Sequence, residues 1–104
     1  MESVQNIVSV GQQIRALREA HGLPLRKVAA ELDIDTSILS KIERGHRQAN
    51  RQQVCAIARI FGVDEKELII QYLSDKVIDE LTNEEWAEDA LKVAEEKLKY
   101  YTRK

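Results

Sequence analysis

The sequence predicts an all-α fold, and its composition and its pattern of apolar residues support this prediction. The 104 residues are 43% hydrophobic and include only four glycines and one proline. An all-β domain needs more turn residues and more β-branched runs than this chain contains. In several stretches the apolar residues recur at intervals of three, four and seven residues, which is the period of an amphipathic helix.

The first helix is predicted from about Val10 to His21. Ser9 and Gln12 have the spacing of a capping box at its start, and Gly22 is typical of the position just after a helix. Before it, the apolar residues Val4, Ile7 and Val8 either pack on the domain or a partner, or belong to a partly ordered tail.

The second helix is predicted to end near Leu32. Pro24 fits its first turn, where the missing N–H is not needed. A tight turn follows over residues 33–35, in which Asp33 is a residue type that tolerates the left-handed conformation. Asp35 is the natural N-cap of the next helix.

The third helix, which ends before Gly45, has two chemically different faces. On a helical wheel of about 100° per residue, hydroxyl and cationic side chains cover one arc of about 140°. These side chains are Thr36, Ser37, Ser40, Lys41 and Arg44. The opposite arc carries Ile38, Leu39 and Ile42. The apolar face is expected to pack into the core, and the polar face suits a phosphate-lined groove.

Two further helices are predicted after this one. Asn50 caps the fourth helix, Gly62 ends it, and its apolar face holds Val54, Ile57, Ala58 and Phe61. Asp64 and Glu67 have the spacing of a cap pair for the fifth helix, which holds Leu68, Ile69, Tyr72 and Leu73. Val77, Ile78 and Leu81 either continue this helix or form a short extra one.

A last helix is predicted from about Asn83 to Tyr101, because Thr82 and Glu85 have the spacing of another capping box. Its apolar residues form one stripe, and its other faces are heavily charged. The stripe consists of Ala87, Ala90, Leu91, Ala94, Leu98 and Tyr101. This helix is expected either to contact a second copy of the chain or to fold back onto its own domain.

The net charge of −2 hides an asymmetry along the chain. Residues 1–63 hold nine Lys or Arg against six Asp or Glu, whereas residues 64–104 hold seven against twelve. From Lys41 to Arg51 there are four cations and one acid. A local basic patch is enough for phosphate contact, since the relevant field is short-ranged at physiological salt.

The run from Ile38 to Arg47, Ile-Leu-Ser-Lys-Ile-Glu-Arg-Gly-His-Arg, resembles the "S-x-I-E-x-G-x-R" segment of the XRE family, the phage-repressor and Cro type of helix-turn-helix protein. The similarity covers about residues 11–70. It implies a five-helix phage-repressor-like DNA-binding domain, with an additional C-terminal helix. The predicted division is a DNA-binding domain over residues 1–74 and a helical extension over residues 75–104, which is a candidate dimerisation element.

The resemblance also implies which side chains contact DNA. The first residues of the third helix reach base edges in the major groove, which assigns base contacts to Thr36, Ser37 and Lys41. The expected phosphate contacts are Arg26, Lys27, Ser40, Arg44, His46, Arg47 and Arg51. At positions 24 and 25 the family usually has Ser or Thr followed by Gln, which touch a phosphate. Pro24 and Leu25 cannot do so through their side chains, so Arg26 or Lys27 is expected to take over that contact.

Glu43 lies at the boundary between the two arcs of the third helix. Its equivalent in the family pairs with an arginine on the first helix, and the matching residue here is Arg18. The resemblance therefore implies a partly buried ion pair that orients the third helix. The alternative is a pair of solvated charges.

The sequence thus predicts a bacterial transcriptional regulator that binds double-stranded DNA sequence-specifically, a repressor that recognises a palindromic operator as a homodimer. The alternative is a protein-interaction or regulatory module, such as an antitoxin or a restriction-modification controller, whose acidic C-terminal helix binds a partner protein. A third interpretation is an enzyme subunit or a regulatory-domain relative of a DNA methyltransferase.

No nucleophile-base pattern, glycine-rich phosphate loop or metal-ligand spacing is present. Neither an enzyme nor a cofactor, metal ion or small-molecule effector is therefore expected. The single cysteine, Cys55, cannot form an internal disulfide. The start of the chain lacks the pattern of a signal peptide, and no apolar run approaches the roughly 18 residues of a membrane span. A cytoplasmic protein without membrane contact is expected.

Overall fold

A computed structural model of the chain describes residues 8–102, so the prediction for Val4 and Ile7 lies outside the described residues. Within residues 8–102 the chain forms helices and turns only, in agreement with the predicted all-α class. The helices are α1 (Val10–Ala20), α2 (Leu25–Leu32), α3 (Thr36–Glu43), α4 (Arg51–Phe61), α5 (Glu65–Leu81) and α6 (Ala87–Thr102). None of the helices in this part of the chain is long and apolar enough to cross a membrane.

One core joins α1 to α5. Its buried apolar side chains are Val10, Ile14, Val28, Ala29, Leu39, Ile42, Ala49, Val54, Ile57, Ala58, Phe61, Leu68 and Ile69. The apolar face predicted for α4 is confirmed, because all four of its side chains are in this core. Since Leu39 and Ile42 pack inward, the opposite face of α3 points to solvent.

The ends of the first four helices follow local rules that the sequence carries. The capping boxes at Ser9 and at Asn50 are both formed, each with the glutamine three residues later. Asp33 is left-handed with φ 59°, a conformation that this residue type tolerates. There the N–H of Ile34 donates to the carbonyl of Ala29 at 3.0 Å, which closes the turn between α2 and α3. Asp35 occupies the N-cap position of α3, although its side chain makes no capping hydrogen bond.

The second half of the chain differs from one prediction. α5 continues to Leu81, so its last apolar residues belong to it rather than to an extra helix. The capping box predicted at Thr82 and Glu85 is wrong, and α6 begins only at Ala87. Thr82 instead follows the end of α5, where its hydroxyl donates to the carbonyl of Ile78 at 2.6 Å. Threonine can make this i−4 bond as readily as it can cap a helix start, so the local motif was ambiguous.

Candidate nucleic-acid interface

The outward face of α3 carries the side chains that are predicted to read DNA. The predicted base-contacting residues Thr36, Ser37 and Lys41 are all exposed. Arg44 is exposed as well, and Ser40 is half-buried. This face holds hydroxyls and cations only, so it offers hydrogen-bond donors and positive charge to whatever lies against it.

The other predicted phosphate-contacting residues are exposed at helix ends and in a loop. Arg26 and Lys27 lie in the first turn of α2, and Arg51 is the first residue of α4. His46 and Arg47 lie in the loop between α3 and α4. The structure thus places these cations on the two helices adjacent to α3 in the chain and on the loop that leaves it.

The turn after α3 fixes the direction of that loop. Gly45 has φ 81°, a left-handed conformation that suits a residue without Cβ. The N–H of His46 donates to the carbonyl of Lys41 at 2.8 Å, and the N–H of Gly45 donates to that of Ile42 at 3.1 Å. These two bonds form a Schellman motif, which satisfies the last carbonyls of α3. Arg44 lies along the helix, with its Nε 3.4 Å from the carbonyl of Ser40.

Glu43, the one carboxylate of α3, is held away from the outward face. It is only 5% exposed. Arg18 donates two hydrogen bonds to it, from Nε to Oε2 at 2.8 Å and from Nη2 to Oε1 at 3.0 Å. The Nη1 of Arg18 also donates to the carbonyl of Leu23 at 2.9 Å, and the bond to Glu43 raises the pKa of the guanidinium. The structure therefore brings these two residues together as an ion pair that connects α1 and α3.

A comparison of the chain with models of protein families agrees with this arrangement. Residues 14–68, more than half of the chain, match the family model described as Helix-turn-helix. The chain belongs to the helix-turn-helix family of the phage-repressor (XRE) type. Accordingly, it is a DNA-binding transcriptional regulator, and the family is not typically enzymatic. No curated protein and no solved structure matches the chain.

Gly11 is a residue of α1 whose importance the sequence analysis missed. It lies in the first turn of α1, where that helix crosses α3. A Cβ at this position would lie 2.0 Å from the carbonyl oxygen of Ile42. The closeness of α1 and α3, on which the Arg18–Glu43 pair depends, therefore requires glycine. An isolated glycine inside a helical pattern was the available signal, since it usually has a packing reason.

Two carboxylates on α5 also support the helix-turn-helix domain, and no sequence pattern indicated this role. Asp75 accepts a hydrogen bond from the N–H of Val10 at 2.8 Å, and Asp79 accepts one from the side-chain amide of Gln48. They therefore hold the start of α1 and the loop between α3 and α4. Both line a cleft of about 550 Å³, together with Arg47. Burial, and then the charge of Asp79, raise the pKa of Asp75, although the bond from Val10 lowers it.

We expect Asp75→Asn to reveal this raised pKa as a pH-dependent difference in stability. The amide oxygen can still accept from Val10, but it carries no charge to desolvate. Because the folded-state pKa of Asp75 is raised above its ordinary 3.8, the wild-type carboxyl contributes stability at low pH. That contribution is lost as the pH rises through the folded-state pKa. The stability of Asp75→Asn relative to wild type should therefore increase over this range.

Denaturant unfolding of both proteins between about pH 3.5 and pH 7 measures this difference. Asp89→Asn, an exposed change on α6, controls for the loss of one negative charge. A difference for Asp75→Asn that is constant, or that shrinks as the pH rises, would contradict the expectation.

Proposed function

We propose that this helix-turn-helix protein is a repressor that binds a palindromic operator as a homodimer, with α3 in the major groove. The observation that carries the proposal is the outward face of α3. Its hydroxyl and cationic side chains are exposed, and its only carboxylate, Glu43, is bound by Arg18 on the inner side. A carboxylate left facing the phosphates would repel them, so this ion pair removes a barrier to binding.

Base recognition is assigned to the side chains along the exposed face of α3. Thr36 and Ser37 occupy its first turn, and Lys41 lies one turn further on. Hydroxyls can donate or accept, and the methyl of Thr36 can contact a thymine methyl. Lys41 can donate to O6 or N7 of guanine.

Phosphate contacts are assigned to the cations and hydroxyl that flank these residues. They are Arg26, Lys27, Ser40, Arg44, His46, Arg47 and Arg51, and all but the half-buried Ser40 are exposed. At the start of α2, Pro24 makes no side-chain capping bond, so Arg26 and Lys27 supply the polar groups there. Contacts of this kind fix the orientation of the domain and provide affinity without reading sequence.

A dimer follows from the small footprint of one recognition helix. A single α3 reads only a few base pairs, and this motif gains specificity when two copies bind half-sites about 34 Å apart. The exposed apolar side chains beyond Ile69 support a contact between copies, which assigns dimerisation to residues 75–104. Occupation of an operator is enough to block a promoter. Repression therefore needs no surface beyond the DNA-binding face of α3 and the contact between the two copies.

The alternative, in which an acidic last helix captures a partner protein, has weaker support. α6 carries four carboxylates against three lysines, so the helix itself is almost neutral. The acidic excess of residues 64–104 is therefore not concentrated on it. An antitoxin or a restriction-modification controller with a DNA-reading face remains compatible with the same proposal.

Selection from random duplex DNA, followed by gel-shift titration, tests the proposal. We expect a palindromic site whose affinity falls linearly with salt on a log–log plot. Arg44→Ala should weaken binding to all sequences and flatten the slope by about 1, whereas Thr36→Ala should change the preferred bases.

Lys92→Ala, which removes one exposed cation from α6, is the matched control and should leave the slope unchanged. Equal and weak binding of wild type and Lys41→Ala/Arg44→Ala to every duplex would overturn the proposal. If Arg44→Ala altered base preference and Thr36→Ala altered only the slope, the two assigned roles would be reversed.

A further inference from the structure

The large exposed apolar side chains are confined to one end of the described chain. Within residues 8–102, the exposed large apolar residues are Ile70, Leu73, Val77, Ile78, Trp86, Leu91, Val93, Leu98, Tyr100 and Tyr101. All of them follow the last core residue, Ile69. Within α6, whose residues 87–102 are all described, no side chain is buried. From Val8 to Ile69, the large apolar side chains are therefore buried or partly buried, whereas most of those beyond Ile69 are exposed.

The second half of α5 presents one of two apolar stripes. Ile70, Leu73, Val77 and Leu81 recur at intervals of three and four, so they lie on one side of the helix. The core-facing residues Leu68 and Tyr72 lie on the other side, since they are about half a turn away. We call these four residues the α5 stripe.

The second stripe runs along α6. Ala87, Leu91, Ala94, Leu98 and Tyr101 are separated by four, three, four and three residues, which is the heptad spacing of a helix that packs on another helix. We call these five residues the α6 stripe. It spans only two heptads, whereas coiled coils are sustained over three or four, and it has alanine at two of five positions. Two copies of α6 that paired only with each other would bury too little apolar surface for a stable dimer.

The two stripes match each other in length and in bulk. The α6 stripe is about 21 Å long and the α5 stripe about 17 Å, at 1.5 Å per residue. The alanines of α6 allow a close approach, and the bulky residues of α5 fill the space that they leave. In the described chain both stripes remain largely uncovered, because six of their seven large side chains are between 42% and 64% exposed and the seventh, Leu81, is half-buried. α6 therefore does not cover its own α5.

The apolar area is close to what a stable dimer requires. Six large side chains, each about half exposed, offer on the order of 100 Å² apiece, or roughly 600 Å² per copy. The alanines add to this amount. A standard interface buries about 800 Å² per partner. Both stripes must be buried for the interface to approach that area.

We infer that α6 is an exchanged arm, whose stripe packs on the α5 stripe of a second copy of this chain. The inference rests on the proposed homodimer and specifies how its two copies join. Each dimer then contains two equivalent α5–α6 contacts, as two-fold symmetry requires. Because α5 also holds the start of α1 and the α3–α4 loop through Asp75 and Asp79, the exchanged arm braces the surface next to α3.

Cross-linking between chains of two sizes, without DNA, tests this arrangement. Cys55 is first changed to serine, which can keep the hydrogen bond that its thiol makes to Glu65. Val77→Cys is placed in a tagged chain and Ala94→Cys in an untagged one. The two are mixed, refolded together and treated with a short bismaleimide that spans more than one helical turn of about 5.4 Å. We expect a product of mixed size at least about tenfold more abundant than either self-linked product.

Glu96→Cys, on the face of α6 opposite its stripe, is the matched control and should give little mixed product with Val77→Cys. Abundant self-linking of Ala94→Cys would overturn the exchange in favour of paired α6 helices. In a single chain that carries both Val77→Cys and Ala94→Cys, cross-linking within that chain would overturn the exchange in favour of an α6 that folds back onto its own α5.

Sedimentation of the full chain provides a second measurement that does not depend on register. Val77→Asp and Leu91→Asp alter exposed positions, so both proteins should fold, and each should weaken the dimer at least tenfold. A monomeric wild type, or a Val77→Asp protein that remains as dimeric as wild type, would overturn the inference. Because no DNA is present, these results are independent of whether α3 binds an operator.

Discussion

Gly11→Ala is expected to destabilise the protein by about 3 kcal/mol, although alanine is the better helix former. Intrinsic propensity alone would favour alanine by up to about 1 kcal/mol. The added Cβ, however, would lie 2.0 Å from the carbonyl oxygen of Ile42 and 3.0 Å from its carbonyl carbon. These are backbone atoms of α3, so no side-chain rotation relieves the clash. α1 must move away from α3, and the packing between the two helices is lost.

Denaturant unfolding of Gly11→Ala and wild type measures this effect. For a domain of this size, a loss of that magnitude lowers Tm by roughly 12–24 °C. Ala16→Gly, an exposed position on the same helix, is the matched control and should cost only about 1 kcal/mol, the propensity difference. If Gly11→Ala were as stable as wild type, α1 and α3 would not approach as closely as the structure shows.

The comparison of Gly11 with the capped helix ends shows what the sequence could and could not predict. A capping box joins residues three apart, so the boxes at Ser9 and Asn50 could be recognised from the sequence alone. The face of α3 that turns inward followed from helical periodicity. The requirement for glycine at position 11 depends on where another helix crosses, about thirty residues later, and no local pattern records that crossing.

The distinction between local motifs and contacts distant in the sequence also explains the other differences between the predictions and the structure. Asp75 is 65 residues from Val10, and Asp79 is 31 residues from Gln48, so neither bond has a spacing that could be recognised. Thr82 lies in a local motif that fits a helix start or a helix end, and the continuation of α5 decided between them. The partner of Glu43, 25 residues away, was predicted only through the family resemblance.

Breaking the Arg18–Glu43 pair is the second change with a large expected effect. We expect Glu43→Ala to cost about 3 kcal/mol and Arg18→Ala about 3–5 kcal/mol, because each leaves one partner of a buried ion pair uncompensated. Arg18→Ala should be the worse change. The side chain of Glu43 is 4% exposed and that of Arg18 is 12% exposed, so a carboxylate without its arginine is the more deeply buried charge. An arginine without its glutamate still donates to the carbonyl of Leu23.

A double-mutant cycle with Arg18→Ala/Glu43→Ala separates the interaction from the two single losses. Unfolding free energies should show that the double variant is more stable than the sum of the single changes predicts, by about 1–3 kcal/mol. The Arg15–Glu19 pair on the same α1 supplies the matched control, because its side chains are 56% and 57% exposed. Glu19→Ala should therefore cost less than about 1 kcal/mol. Additive losses at Arg18 and Glu43, as small as that at Glu19, would show that they behave as separate solvated charges. α3 would then depend on its apolar contacts alone for its orientation.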